Sequence, residues 1–531
     1  MRKRLVLALT ALATAALLAG TAFAADEDTT LTIALDSDIV ALDPIYAYDF
    51  TTNPVVNQIT QALLQFDVNN ELQPLLASSW EQADDTTYVY QIRDDVTFSD
   101  GTPMTMDDVI FSMERNMDPE AGSYLSWMFD NVESLEQTGD WELTVHLKEP
   151  SATWQFVPGT TACHVISKAY YEEHAGNFGM ADGGLMGTGP YVYESWSAGQ
   201  EIVLKKNENY WDKEQELALD TLVYKIITDD TTRVMALQTG EVDFTTSTPA
   251  DMLEVLHAVE ELEIQDIALA GVTYLAFNTE REPFNDVNVR KAITAAIDLD
   301  AIQENIVREA GQVGTCLPNN STLFAGDEED WNAYLDSAEH VTYDVEQAKA
   351  YLAESAYPDG FPCTMVISEN SLRYSIALYI QEALKAIGIE VELVKVSADE
   401  HTAYQFGDIL DEEGKRDYDM IMAGWEADYP DMSGNIEPLL AGYNTGAGGS
   451  NAAAYANDAF DDLLRQASAI TDPVERTKLL CQAMDLANAD CPYVFLTYPN
   501  KQVTCNKKYT GFTLNSSWLW NLYFKDFTLT E

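Results

Sequence analysis

The chain has 531 residues, 46% of them apolar and 22% charged, and 88 acidic side chains against 29 basic ones give a formal charge of −59. That length supports a large core and more than one domain. A surface this negative repels phosphate backbones and anionic lipid heads and so argues against nucleic-acid and membrane-surface roles. It reads first as solubility in salty surroundings, and second as steering of cationic ligands.

The first element is a leader. Residues 1–4 (MRKR) form a basic n-region, 5–20 an apolar h-region, and Ala22-Phe23-Ala24 a small-x-small cleavage site, so export with cleavage after Ala24 is expected. The apolar stretch is short for a membrane span, and no later stretch is long enough. Leu17-Leu18-Ala19-Gly20 would introduce a lipid anchor if Cys followed, but Thr21 follows. An unanchored mature protein points to a periplasm.

Residues 31–44 begin as a strand and end in an Asp-Pro turn, and 53–67 carry apolar residues at helical spacing. The stretch 86–117 reads as strand, Gly-Thr-Pro turn and then a helix capped near Thr105, with Asp107 and Asp108 in its first turn. A strand over 141–150 and a two-stranded element over 187–211 follow; 231–244 is a helix ending at Gly240 plus a short strand. In the second half, 285–302 is an amphipathic helix and 363–368 a strand. Residues 369–396 give a long helix stopped by Gly388 and then a strand, and 471–490 a helix with Asp472 as N-cap, Pro473 at its first position and Glu475 in a capping box. Strands alternating with helices imply α/β layers with ligands at strand ends, and the change of texture implies two lobes.

The six cysteines, at 163, 316, 363, 481, 491 and 505, include no CxxC pair. In an exported chain they permit up to three disulfides in fifteen connectivities. Cys491 and Cys505 flank Tyr498-Pro499-Asn500 almost symmetrically, so a hairpin there would bring them face to face. Cys481 falls inside a helix.

Catalytic signatures are missing. There is no G-x-S-x-G, HExxH, P-loop or EF-hand loop. The glycine-rich stretch 446–451 lacks the third glycine of a dinucleotide fingerprint, and the six histidines form no metal-spaced pair. Carboxylate pairs are what chance supplies among 88 acids. No enzyme activity, cofactor or metal is expected.

The segment AGWEADYPD, 423–431, follows the apolar run YDMIM and sets a tryptophan and two acids at the end of a buried strand. This segment and others resemble, in order, the family 5 solute-binding proteins of bacterial ABC transporters, most of all the oligopeptide- and dipeptide-binding ones. The landmarks are LDP at 42–44, FSDGTPMTMDDVIFSMERNMDP at 98–119, GTGPYVYESW at 187–196, IVLKKNENYW at 202–211, AFNTEREPFNDVNVRKAITAAID at 276–298, AGWEADYPD, and DPVERTKLLCQAM at 472–484. They span nearly the whole mature chain, and SDGTP, PFND with VRKA, and the YW pair are together highly specific.

The resemblance implies an α/β, two-lobed periplasmic-binding-protein (flytrap) fold with an extra subdomain and a ligand cleft between the lobes. Lobe I is then discontinuous, over 25–53, 184–272 and 494–531; the extra subdomain covers 54–183 and lobe II 273–493. The implied role is capture of short peptides for an ABC permease and its ATPase by a monomer that closes on its ligand. The Asp of the W-x-A-D-Y stretch, here Asp428, would pair with the ligand's α-ammonium. A carboxylate in a water-poor cleft makes a charge-assisted bond that strengthens as the dielectric falls. Trp425 would wall a side-chain pocket, with Tyr429 beside it. Arg373, in the first turn of its helix, would receive the C-terminal carboxylate; Tyr124 and the segment from Asp36 to Leu42 resemble the cleft wall.

The residues also admit plainer readings: a turn-capping Asp428, a core Trp425 and Tyr124, and a surface Arg373. Met422 stands where a close relative carries arginine, which leaves the preferred peptide length open. The competing functions are the same fold holding a metal chelate, haem or oligosaccharide, a secreted hydrolase, and an envelope receptor that binds without delivering.

Overall fold

The computed structural model describes residues 29–317, 328–512, 514–516 and 518–530. The leader predicted over 1–24 lies outside them. Two large half-sheets are joined edge to edge into one path of strands. One half runs Tyr191–Ser197, Glu201–Lys206, Thr221–Ile226, Thr30–Leu35, Phe244–Thr245; the other runs Gly271–Phe277, Met420–Glu426, Pro362–Ile367, Glu390–Lys395. The strand Tyr493–Asn506 belongs to both. Its first part pairs antiparallel with Gly271–Phe277 and its last part with Leu262–Ala268. Leu269 and Ala270 alone separate those two partner strands, so the halves are joined at two neighbouring crossings.

All seven residues of Gly271–Phe277 are buried. A strand covered on both faces needs a continuous apolar run rather than alternation, and GVTYLAF supplies one. A separate antiparallel sheet, in the order Ala77–Asp84, Thr87–Ile92, Glu142–Leu147, Val132–Gly139, carries its own core around Tyr90, Val145, Phe98 and Phe156.

Local signals act where local chemistry decides. Thr105 caps the helix Met106–Met117 in a two-way box with Asp108, Asp472 accepts from the Glu475 N–H at 2.9 Å, and Gly240 closes its helix at φ 72°. The helical spacing over 53–67 is realised only over Asn53–Ile59; Thr60 turns extended and Leu64–Phe66 becomes a strand paired with Leu72–Pro74. Two buried ion pairs tie the landmarks together. Arg115 grips Asp43 of the Asp-Pro turn with two bonds, at 2.9 and 2.5 Å, and Arg476 pairs with Asp431.

No hairpin brings Cys491 and Cys505 face to face. Residues 493–506 form one 14-residue strand. Pro499 sits at the crossing between the half-sheets, where its carbonyl accepts from the Leu269 N–H at 3.3 Å and no turn is made. A strand of that length holds its ends on the order of 40 Å apart, whereas a disulfide needs Cα atoms within about 7 Å. Cys491 instead lies by Thr294, and Cys505 pairs with Phe244 and Glu263. Among the described residues no disulfide joins any of the six cysteines. Burial pushes Cys316 up to about 11 and Cys363 and Cys505 to about 12, so they hold their protons at neutral pH. Titration with a thiol reagent is expected to count six thiols in denatured, unreduced protein and almost none in the native state; four or fewer after denaturation would mean a disulfide.

Candidate functional site

The strand Met420–Glu426 is buried from Met420 to Ala423 and half-open from Gly424 onward. On one side it pairs with Gly271–Phe277 along its full length; on the other it meets Pro362–Ile367 only at Met420 and Ile421. Beyond Ile421 that partner turns away into the helix Ser371–Lys385, capped by Asn370, whose side chain accepts from the Arg373 N–H at 2.9 Å. The gap left at the strand end opens into a cavity of about 680 Å³. It is the crevice that strand-helix crossovers leave at the carboxyl end of a sheet.

Four of the residues singled out in the sequence, Asp428, Trp425, Arg373 and Tyr429, line this cavity. Asp428 has its carboxylate at the wall. It accepts a 2.5 Å bond from the Tyr48 hydroxyl, and its backbone carbonyl accepts from the Trp520 indole. Loss of hydration pushes its carboxyl up to about 6, against the opposing effect of the Tyr48 bond. Among the described residues no cation pairs with it. Arg373 makes no side-chain hydrogen bond or ion pair among the described residues. Desolvation draws its guanidinium below the usual arginine range, with Tyr274 acting the other way.

Trp425 donates its indole N–H to the Gly434 carbonyl at 2.8 Å, so its polar edge is used within the protein and its ring is what the cavity sees. Tyr429 stacks on Phe156, centroids 5.6 Å apart and planes 11° apart, which docks the loop on the core that covers the separate four-stranded sheet. It is an anchor as well as a wall.

Asp36 lies elsewhere. It lines an adjoining cavity of about 640 Å³ and accepts from the Thr51 hydroxyl at 3.3 Å. The two cavities share Asn370, Leu372 and Lys501. Lys501 has its pKa lowered by burial, with Glu426 and Asp36 acting against that shift. Tyr124 lines neither cavity; it is 54% exposed, and its ring meets Tyr46 edge-on at 5.4 Å. Neither residue lines the Asp428 cavity: Asp36 follows the end of the strand Thr30–Leu35, and Tyr124 lies in an exposed turn.

Sequence reasoning missed Tyr48, Phe50, Gln405, Lys501 and Trp520, all of which line the main cavity. Tyr48 had one signal, its place four residues after the LDP landmark. The others had none. Among the described residues no group of three or more His, Cys, Asp or Glu is placed to hold a metal, and no helix is long and apolar enough to cross a membrane.

Residues 71–447 match the family model for bacterial extracellular solute-binding proteins, family 5. The chain is 28% identical over 499 residues to the glutathione-binding protein GsiB of Escherichia coli K12, covering 94% of each. It superposes on the periplasmic binding protein DppA of Helicobacter pylori, solved with the peptide STSA, at TM-score 0.80 and 26% identity over 95% of this chain and 99% of that one. A TM-score of 0.76 at 25% identity, over 94% and 99%, relates it to AgaA of A. tumefaciens R10, solved with agropinic acid.

Proposed function

The chain belongs to the bacterial extracellular solute-binding proteins of family 5, and from that premise we propose that it captures short peptides and hands them to the permease of an ABC importer. One observation carries the ligand class. Asp428 and Arg373, opposite charges without charged partners among the described residues, line one cavity. Each is costly while unpaired and out of water. A ligand with an α-ammonium at Asp428 and a carboxylate at Arg373 offsets both costs at once. At about 4 Å such a pair gains roughly 4 kcal/mol near a protein surface against roughly 1 in water.

The spacing suits a short ligand. Gly424, against which Arg373 lies, and Asp428 are four residues apart on one chain, so their Cα atoms are separated by at most about 14 Å. The ring faces of Trp425 and Phe50 and the Lys501 stem leave side-chain room with little hydrogen-bond discrimination. The relatives named for glutathione and solved with STSA favour this reading. A sugar carries neither charge and would leave Asp428 and Arg373 uncompensated. We read the role as capture without turnover, by an exported monomer. The two strand crossings at 268–271 and 498–500 serve as the hinge, and ligand favours the closed population.

The test is a thermal-shift series on mature, ligand-stripped protein. Free di- to pentapeptides are compared with N-acetylated and C-amidated copies, sugars and metal chelates. Ligand that binds only the native state raises the melting temperature by mass action. A rise with free peptides that is lost on blocking either end is the expected result; a rise with a sugar or chelate alone would discard the peptide reading and keep the fold.

A further inference from the structure

Glycine weakens a strand interior, and position 424 gives no backbone reason for one: it sits inside the ladder opposite Thr273 and is not among the glycines with positive φ. Space is the reason. A β-carbon built at Gly424 would stand 2.5 Å from Nη2 of Arg373; the next neighbours are the Val272 carbonyl oxygen at 3.3 Å and Arg373 Cζ at 3.5 Å. The guanidinium therefore occupies the volume that any other residue at 424 would fill. The strand at this point is held from a second side by Gln405, whose amide donates to the Gly424 carbonyl at 3.0 Å.

We propose that Gly424 is a positioning residue that seats Arg373 at the strand surface and thereby selects ligands with a free C-terminal carboxylate. This rests on the peptide reading above. The seat matters because Arg373 makes no side-chain bond among the described residues to fix it. Its stem leaves the helix first turn with several free torsions, and only the absent β-carbon lets its fork rest on the strand. A methyl group at 424 overlaps only the movable guanidinium, at 2.5 Å, and meets the fixed Val272 carbonyl at 3.3 Å, a contact that a shift of a few tenths of an ångström relieves, so the fold can accommodate it while the fork is pushed off its place.

The test measures the affinities of Ala-Leu and Ala-Leu-amide for wild type, Gly424→Ala, Arg373→Ala and the double variant. Gly424→Ala is expected to weaken the free acid by about 10- to 100-fold, what a displaced charge-assisted bidentate pair is worth, and to collapse the ratio of acid to amide. In the Arg373→Ala background the glycine change is expected to add nothing, since neighbours acting through one group are not additive. Retention of the acid-to-amide ratio in Gly424→Ala, or an equal loss of both ligands, overturns the proposal. If wild type binds neither of these nor any of the free di- to pentapeptides above, the peptide reading fails. The seat is then judged by a crystal structure of Gly424→Ala: a guanidinium still resting on the strand refutes it, and one displaced by an ångström or more upholds it.

Discussion

Asp428→Asn is expected to weaken an unblocked dipeptide by about 100-fold and to leave its N-acetylated copy nearly unchanged, because removing one partner of a desolvated charge pair costs about 2–5 kcal/mol. The carboxylate is held in place. Tyr48 donates to it at 2.5 Å, and Trp520 holds the backbone carbonyl of the same residue, while no cation among the described residues neutralises it. Asparagine keeps an acceptor for Tyr48, so the loop should hold while the charge is lost. An unchanged affinity for the unblocked peptide, measured by calorimetry, would remove Asp428 from the site.

The same group fixes a pH profile. Its carboxyl titrates near 6 in the free protein, raised by desolvation. A bound ammonium stabilises the ionised form and lowers that value in the complex. Affinity should therefore be flat above about pH 6 and fall, up to tenfold per unit, as pH drops below it. It should fall again above roughly 8, where the ligand's own amine loses its proton. Stability runs the other way. A carboxyl raised above its unfolded value is a cost when ionised, relieved as pH falls through 6, so unliganded Asp428→Asn should melt higher than wild type at pH 7 and equally at pH 4. A profile that does not bend near 6, or that Asp428→Asn leaves bent, would mean another group controls binding.

The second large effect is on stability. Arg476→Met is expected to cost about 3–5 kcal/mol, because it strands the Asp431 carboxylate, which is 1% exposed, without its cation. Asp431 also accepts from the Ser433 backbone and hydroxyl, at 2.9 and 2.5 Å, so it organises the loop that follows the site strand. It lies three positions after Asp428. The variant should lose peptide affinity along with stability, although Arg476 does not line the cavity. Pairing Arg476→Met with Asp431→Asn should recover part of the loss, as coupled neighbours do. A fall of less than about 1 kcal/mol in denaturant unfolding would show that the pair is incidental.

How much of this was legible in the sequence differs from element to element. The Thr105 and Asp472 caps and the Gly240 stop could be read because a cap bonds within three or four residues of itself. The short helix at Asn53–Ile59 was overread, since apolar spacing alone does not separate a helix from a helix followed by a buried strand. The Tyr-Pro-Asn turn signal at 498–500 was overridden. Strands from both half-sheets pair with that segment, and their ladder bonds outweigh a local turn preference.

By itself the sequence determined the α/β character, most of the capped helices, the family landmarks, and Asp428, Trp425 and Arg373 as candidate ligand contacts. These rest on periodicity, cap chemistry and motif identity, all of which are written in neighbouring letters. Only the tertiary structure decided which of them share a cavity. It brought Tyr48 and Trp520 to Asp428 from 380 and 92 residues away, laid Arg373 on Gly424, put Asp36 in the adjoining cavity and left Tyr124 outside both. The physical reason is that desolvation, charge pairing and steric room are properties of a packed neighbourhood. Such a neighbourhood is assembled from segments whose separation along the chain carries no record of their contact.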